Sequence, residues 1–152
     1  MASDNLPGGL RNHVFNPLSG FRHESLIVPE WDGAAVIVRA PSPSDFFFHR
    51  RLLWEDAGVQ PGESEVAVRA RLETEGFDYS RAAAALLVRT LFQAGEQGVQ
   101  RVFQDQELER VAAAYGPVHE RLVAKALELG NLEEGAADRA KKPSGKRRTS
   151  AS

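Results

Sequence analysis

The sequence contains no cysteine, which excludes disulfide bonds, thiolate nucleophiles and thiolate metal ligands. It also lacks any apolar run long enough to cross a bilayer. The first residues lack the positively charged region and the apolar region of a secretory signal. We therefore expect a protein of a reducing cytoplasm, with no membrane partner.

Recognisable catalytic and metal-binding patterns are also missing. The sequence has no nucleophile elbow and no glycine-rich phosphate loop followed by lysine. No two histidines stand four residues apart as zinc-binding pairs do; they are His13, His23, His49 and His119. Asp105 and Glu107 precede His119, but acids in the first turn of a helix are explained by the helix dipole. The sequence thus predicts no catalytic residue, no cofactor and no metal.

Charge is distributed unevenly along the 152 residues, whose net charge is −2. Residues 133–152 contain six basic and three acidic side chains, or +3, which leaves −5 for residues 1–132. An acidic body disfavours nucleic acid as a partner. The basic end has almost no large apolar side chain, so we predict a disordered basic tail over 133–152.

Two β-prone runs predict a β-hairpin over about residues 24–40. The runs are Leu26–Val28 and Val36–Val38, and between them stand the turn-forming residues Pro29, Asp32 and Gly33. Pro41 ends the second run because proline cannot donate to a strand ladder.

Helical periodicity and capping residues predict five helices after the hairpin, at about 43–57, 64–75, 80–93, 105–115 and 117–129. The segment Leu87–Phe92 could instead be a strand paired with Val99–Phe103, but four preceding alanines favour helix. The predicted fold class is mainly α with a small N-terminal β-hairpin. Residues 1–20 would form a flexible leader, and residues 21–132 a single compact domain.

Two of the predicted helices, 43–57 and 80–93, have apolar residues on more than one face. In helix 43–57, Phe46 and Leu53 share one face while Phe48 and Leu52 point nearly opposite. All of these side chains could belong to the core; otherwise Phe48 and Leu52 are the candidate partner-binding residues. The run Ala82–Phe92 is apolar nearly all round, which predicts weak self-association.

The last two helices are joined by a short link, as in a DNA-binding helix-turn-helix. The second of them, Pro117–Leu129, carries two acids and two bases, namely Glu120, Arg121, Lys125 and Glu128. Groove-reading helices are usually basic, so a nucleic-acid-binding regulator is a weak alternative.

Three segments, in this order, resemble the tail assembly chaperones of long-tailed, siphophage-like bacteriophages, prophages and tailocins. They are VPEWDG and VIVRAPS over Val28–Ser42, VFQDQEL over Val102–Leu108, and AKK at Ala140–Lys142. The likeness spans about residues 25–142.

The resemblance implies a protein that is not an enzyme and that works in the host bacterial cytoplasm. It implies binding and solubilisation of the tape measure protein until tail tube subunits polymerise around it, and absence from the mature tail. It also implies a longer form, made by a programmed frameshift near the AKK segment, that recruits the tail tube protein. A small virion component, such as a connector or tail-completion protein, is the alternative.

Overall fold

A computed structural model describes the backbone of residues 2–131 and the side chains of residues 9–131. It is an α+β fold of helices packed on an antiparallel sheet, which confirms the predicted class. The helices are α1 (Ala2–Phe15), α2 (Pro43–Ala57), α3 (Glu65–Leu72), α4 (Ser80–Thr90), α5 (Leu108–Ala114) and α6, over residues 117–131. The strands are β1 (His23–Val28), β2 (Ala34–Arg39), β3 (Leu91–Gly95) and β4 (Gly98–Arg101), in the sheet order β1-β2-β3-β4. The predicted tail, 133–152, lies outside the described residues.

Strands β1 and β2 form the N-terminal hairpin that the sequence predicts. Val28 lies opposite Ala34, and a single 3-10 turn, Pro29–Trp31, leads into the connection. Asp32 and Gly33 then reverse the chain with φ angles of 59° and 73°. Aspartate and glycine tolerate this left-handed conformation better than other residues, which is why the Asp-Gly pair marks the turn.

The predicted helix over 80–93 is too long, because the chain leaves the helix after Thr90. Leu91 adopts extended geometry and starts β3, which pairs with β2 on one side and with β4 on the other. The alternative strand pairing was therefore partly right, shifted to residues 91–95 and 98–101. Both faces of this sheet segment are covered: Leu91 and Phe92 are 0% and 2% exposed. Burial between neighbouring strands outweighs the helical preference of the alanine run.

Helix α4 is the centre of the core. Every residue from Ala82 to Val88 is buried, and the small alanines allow α2 and α5 to pack closely on it. Helix α6 adds four buried apolar side chains, Leu122, Val123, Ala126 and Leu129. The expected surplus apolar face of α4 thus lies inside the molecule, and the argument from α4 for self-association is lost.

The leader differs from the predicted loose segment, because residues 2–15 are helical. After α1, Leu18 is buried, and the Arg39 side chain fastens this stretch to the sheet. Its Nη1 donates to the Pro17 carbonyl at 3.3 Å, and its guanidinium stacks on the Phe21 ring at 4.3 Å. Within the described range, no helix is long and apolar enough to span a bilayer.

Candidate partner-binding surface

The structure places the two candidate partner-binding residues on the inner side of α2. Leu52 is 3% exposed and belongs to the core, while Phe48 is half-buried beneath the Arg89 guanidinium, 4.3 Å from the ring centre. Nearby, the His49 ring lies 2.8 Å from the Ala82 carbonyl of α4. Leu52 thus belongs to the core, as one of the two interpretations of the sequence expects, and Phe48 packs beside it, so the buried face of α2 includes both positions. Apolar residues alone do not reveal this face, because the buried side also includes charged Asp45.

Large apolar side chains are instead exposed on the outer side of α2 and on α3. Phe47 is 67% exposed, Trp54 is 41% exposed, and Val66 at the start of α3 is 79% exposed. Phe47 and Trp54 stand seven residues apart and so share one helical face. Between the two helices lies an open groove of about 450 Å³. We call it the α2–α3 groove; it is lined by Arg50, Trp54, Glu63, Glu65, Val68, Arg69 and Leu72.

Local sequence signals position both walls of the groove. Ser42 and Asp45 form a capping box at the start of α2, and Gly58 ends the helix with φ 73°. Ser64 caps α3 by accepting from the Ala67 N–H at 3.2 Å. Helix α3 contains no buried residue. Few buried contacts are typical of segments with low local stability, so we expect this wall to be less rigid than the core.

The charges of the groove are only partly paired with one another. Glu63 accepts a bidentate pair from Arg71, with contacts of 2.6–3.0 Å that keep the pKa of Glu63 below its usual range. Arg50 and Arg69, in contrast, have no ion-pair or hydrogen-bond partner for their side chains among residues 9–131. The groove therefore offers two guanidinium groups next to an exposed tryptophan.

A second charged cluster lies on the other side of α2 and is internal. Asp45 accepts from Arg39 and, at 3.3 Å, from Arg89. Arg89 also forms two 2.9 Å hydrogen bonds with Asp105, which accepts from Arg101 at 2.6 Å. These arginines, Arg89 foremost, lower the pKa of Asp105. Three arginines share two aspartates, and every member has at least one partner of opposite charge, so the cluster joins β2, α2, α4 and β4 rather than offering a reactive group.

This arginine–aspartate cluster was missed at the sequence level. Its members are far apart in the chain, and only Asp45 had a visible local role, in the first turn of α2. The cluster brings together two of the segments that carry the family resemblance, since Arg39 belongs to VIVRAPS and Asp105 to VFQDQEL.

The residues considered for acid–base chemistry do not converge. Asp105 is held by arginines, and Glu107 accepts from the Gln104 N–H at 2.8 Å. His119 packs between Trp31 and Tyr115, with ring centroids 5.4 Å away in each case. Burial lowers the pKa of His119. The described part of the chain holds no group of three or more potential metal ligands.

The basic side chains Arg121 and Lys125 of α6 pair with acids of the same molecule. Arg121 forms a bidentate pair with Glu30, at 2.8 and 2.9 Å, which lowers the pKa of Glu30 to about 2. Lys125 pairs with Glu24 at 3.6 Å and with Glu128 at 3.3 Å. Three of these contacts fasten α6 to the hairpin, which argues against a groove-reading role.

Fold and surface together define a small α+β protein with an open groove between α2 and α3 that is lined by apolar and charged side chains. The chain belongs to the phage tail assembly chaperone family, whose model matches residues 9–142. It is similar to the tail assembly chaperone of bacteriophage HK97, whose solved structure aligns with a TM-score of 0.52 at 30% sequence identity. That alignment covers 80% of this chain and 96% of the HK97 chain. A comparison with curated proteins gave no match.

The family assignment confirms the resemblance drawn from the three sequence segments. It makes this protein a tail assembly chaperone, a role that is not catalytic and that is carried out in the infected host cell.

Proposed function

We propose that this chaperone binds the tape measure protein and keeps it soluble in the host cytoplasm until tail tube subunits polymerise around it. The observation that carries the proposal is the α2–α3 groove. A tape measure protein is expected to be long and to expose amphipathic helices, which aggregate when their apolar stripes lack a partner. Covering such stripes reversibly requires exposed apolar surface and no cofactor.

The groove suits a helix laid between two helices. Recognition of this kind uses apolar side chains at i, i+3 or i+4, and i+7 of the bound helix. Trp54, Val68 and Leu72 form the apolar part of the receiving surface, and Phe47 extends it along α2. Tryptophan is among the residues that most often dominate binding energy at protein interfaces.

Co-expression with the tape measure protein of the same phage tests the proposal. The double variant Phe47→Ser, Trp54→Ser should lose solubilisation of the client while its own melting temperature stays close to that of the parent. Ile27→Ser is the matched control, because Ile27 is 64% exposed on β1, outside the groove lining. If the double variant still solubilised the client and the control did not, the client would bind the sheet and not the groove.

The proposal includes the tail tube protein as a second partner, recruited by a longer, frameshifted form. The chaperone itself should be absent from mature tails. Mass spectrometry of purified particles checks this, and its presence in stoichiometric amounts would identify a structural component of the virion, such as a connector or tail-completion protein.

Weak self-association is part of the same proposal, although the apolar residues of α4 do not support it because they are buried. The exposed apolar side chains that remain for it include Ile27 on the hairpin and Leu10, Val14 and Phe15 on α1. Light scattering over a concentration series should show a rising apparent mass, and a constant monomer mass would rule self-association out.

A further inference from the structure

The α2–α3 groove combines apolar and cationic groups, and that combination selects among helical clients. Trp54 lies one helical turn from Arg50 on α2, and Leu72 lies three residues from Arg69 on α3. We propose that the groove binds helical segments that place an acidic side chain within one turn of large apolar ones. This inference specifies the client segment and so rests on the proposed function.

The size of the groove limits how much of a client it can hold. Helix α3 has eight residues and is therefore about 12 Å long, which corresponds to roughly two turns of a bound helix. A volume of about 450 Å³ accommodates a few side chains and not a whole domain. Two or three apolar anchors and one charged residue are what such a segment can present.

The charge argument depends on which groups of the groove are already paired. Glu63 is neutralised by Arg71, so it neither attracts nor repels a client strongly. Arg50 and Arg69 have no side-chain partner in the described part of the protein, and they stand on opposite walls. A client carboxylate between them can accept charge-assisted, bidentate hydrogen bonds, which an amide or an ammonium group cannot reproduce. Glu65 lies in the first turn of α3, so it adds negative charge at one end of the groove only.

The chain also contains a sequence of the proposed chemistry, Leu-Glu-Glu at residues 132–134, outside the described residues. Such a segment can act as an internal competitor for the groove. A client from another protein is nevertheless the occupant we propose, because a chaperone needs its groove free for exchange between clients.

Synthetic helical peptides of 16 residues test the proposal on the full-length chain. Each peptide has leucines along one face of the helix. The three peptides differ only at one position beside that face, which is occupied by Glu, Gln or Lys. Fluorescence anisotropy of labelled peptides should give the tightest binding for Glu, with Kd about 10-fold weaker for Lys, and the difference should shrink as salt rises.

Charge reversal in the protein should reverse the preference. The variant Arg50→Glu, Arg69→Glu should bind the Lys peptide better than the Glu peptide, whereas Arg50→Lys, Arg69→Lys should keep the original order. Arg110→Glu is the control for a charge reversal outside the groove, because the Arg110 side chain is 86% exposed on α5; it changes the net charge by half as much as the double variant. Thermal melting of each variant shows that it is folded.

Equal binding of the Glu and Lys peptides by the parent protein would overturn the proposal. Enhanced peptide binding after deletion of residues 132–152, with the preference for Glu retained, would support it and identify the internal competitor. If co-expression shows client solubilisation while no peptide binds the groove, this inference is wrong and the chaperone function stands. If neither occurs, the proposed function fails as well.

Discussion

The guanidinium of Arg39 donates to the carboxylate of Asp45, and both side chains are buried, with 8% and 4% of the residue surface exposed. The pair joins the last residue of β2 to the first turn of α2. Asp45 also accepts from the Ser42 N–H at 2.9 Å, so one carboxylate both caps the helix and neutralises the arginine. We therefore expect this contact to help orient α2, and with it the outer face that forms the groove.

Replacing Asp45 should be among the most destabilising changes in the protein. Asp45→Ala leaves the buried Arg39 without its carboxylate and removes half of the capping box. We expect a loss of about 3–5 kcal/mol in the free energy of unfolding, measured by urea denaturation. Ser42→Ala removes a capping acceptor without exposing a buried charge and should cost about 1 kcal/mol. Similar losses in the two variants would show that Asp45 acts only as a cap.

Leu52 and Phe47 lie on opposite sides of α2 and should respond differently to truncation. Leu52→Ala opens a cavity against α4 and should cost about 2–5 kcal/mol. Phe47→Ala, at a position that is 67% exposed, should change stability by no more than about 0.5 kcal/mol. Urea denaturation of the two variants measures both values. A stable Leu52→Ala variant that no longer solubilised the client would restore Leu52 as a contact residue.

For α2, there is a physical reason for what the sequence reveals and what it leaves open. The limits of this helix are visible in the sequence, because Ser42, Pro43 and Gly58 act through neighbouring backbone groups. Its buried face is not visible, because that face depends on α4 and on a charged partner in another strand. Asp45 is charged, so the pattern of apolar residues along the helix gives no sign that it is buried.

The same reasoning explains the sheet and the candidate site. The β1–β2 hairpin is local and was predicted, whereas β3 forms only because Leu91 and Phe92 meet β2 more than fifty residues away in sequence. The sequence does not reveal the groove, because the charged residues of α3, Arg69 among them, have the pattern of an ordinary solvated face. Exposed Val66 within that helix was the available signal.

Acidification should weaken the contact between α5 and α6 through His119. The Gly116 N–H donates to Nδ1 of His119 at 3.0 Å, which requires that nitrogen to be unprotonated. Burial lowers the pKa of His119 in the folded state, so the unfolded chain takes up the proton first. Neutral His119 therefore contributes fully to the free energy of unfolding above the pKa of histidine in the unfolded chain, about 6.5. This contribution is lost as the pH falls through the pKa of His119 in the folded protein.

Urea denaturation at a series of pH values from 7.5 to 5 measures this effect. The parent protein should lose stability across this range, and His119→Gln should lose less, because a neutral amide has no proton to gain. Parallel curves for the two proteins would show that His119 does not contribute.

Because Glu30 pairs with Arg121, we expect its carboxyl group to be protonated only at an unusually low pH. The pKa of Glu30 is about 2, chiefly because Arg121 donates to its carboxylate. In Arg121→Ala it should rise toward the ordinary value of about 4.3. Chemical-shift titration of the Glu30 carboxyl carbon follows both proteins. An unchanged pKa in the variant would mean that the pair does not form in solution.

The basic end of the chain should be dispensable for folding. A variant that ends at Ala140 lacks the lysine- and arginine-rich segment, which has no large apolar side chain to contribute to a core. Its melting temperature and its solubilisation of the tape measure protein should match those of the full chain. A large fall in melting temperature would show that the segment packs on the folded part.

The same position is where a longer, frameshifted product would begin. Two lysine codons at Lys141 and Lys142 can supply the A-rich run on which ribosomes slip, and an extension added there would leave the folded part unchanged. We expect mass spectrometry of the protein made from its native gene region to detect two species with a common N-terminus, the larger of which binds tail tube subunits. A single species ending at Ser152 would exclude the frameshift and leave the tail tube protein without a recruiting module on this chaperone.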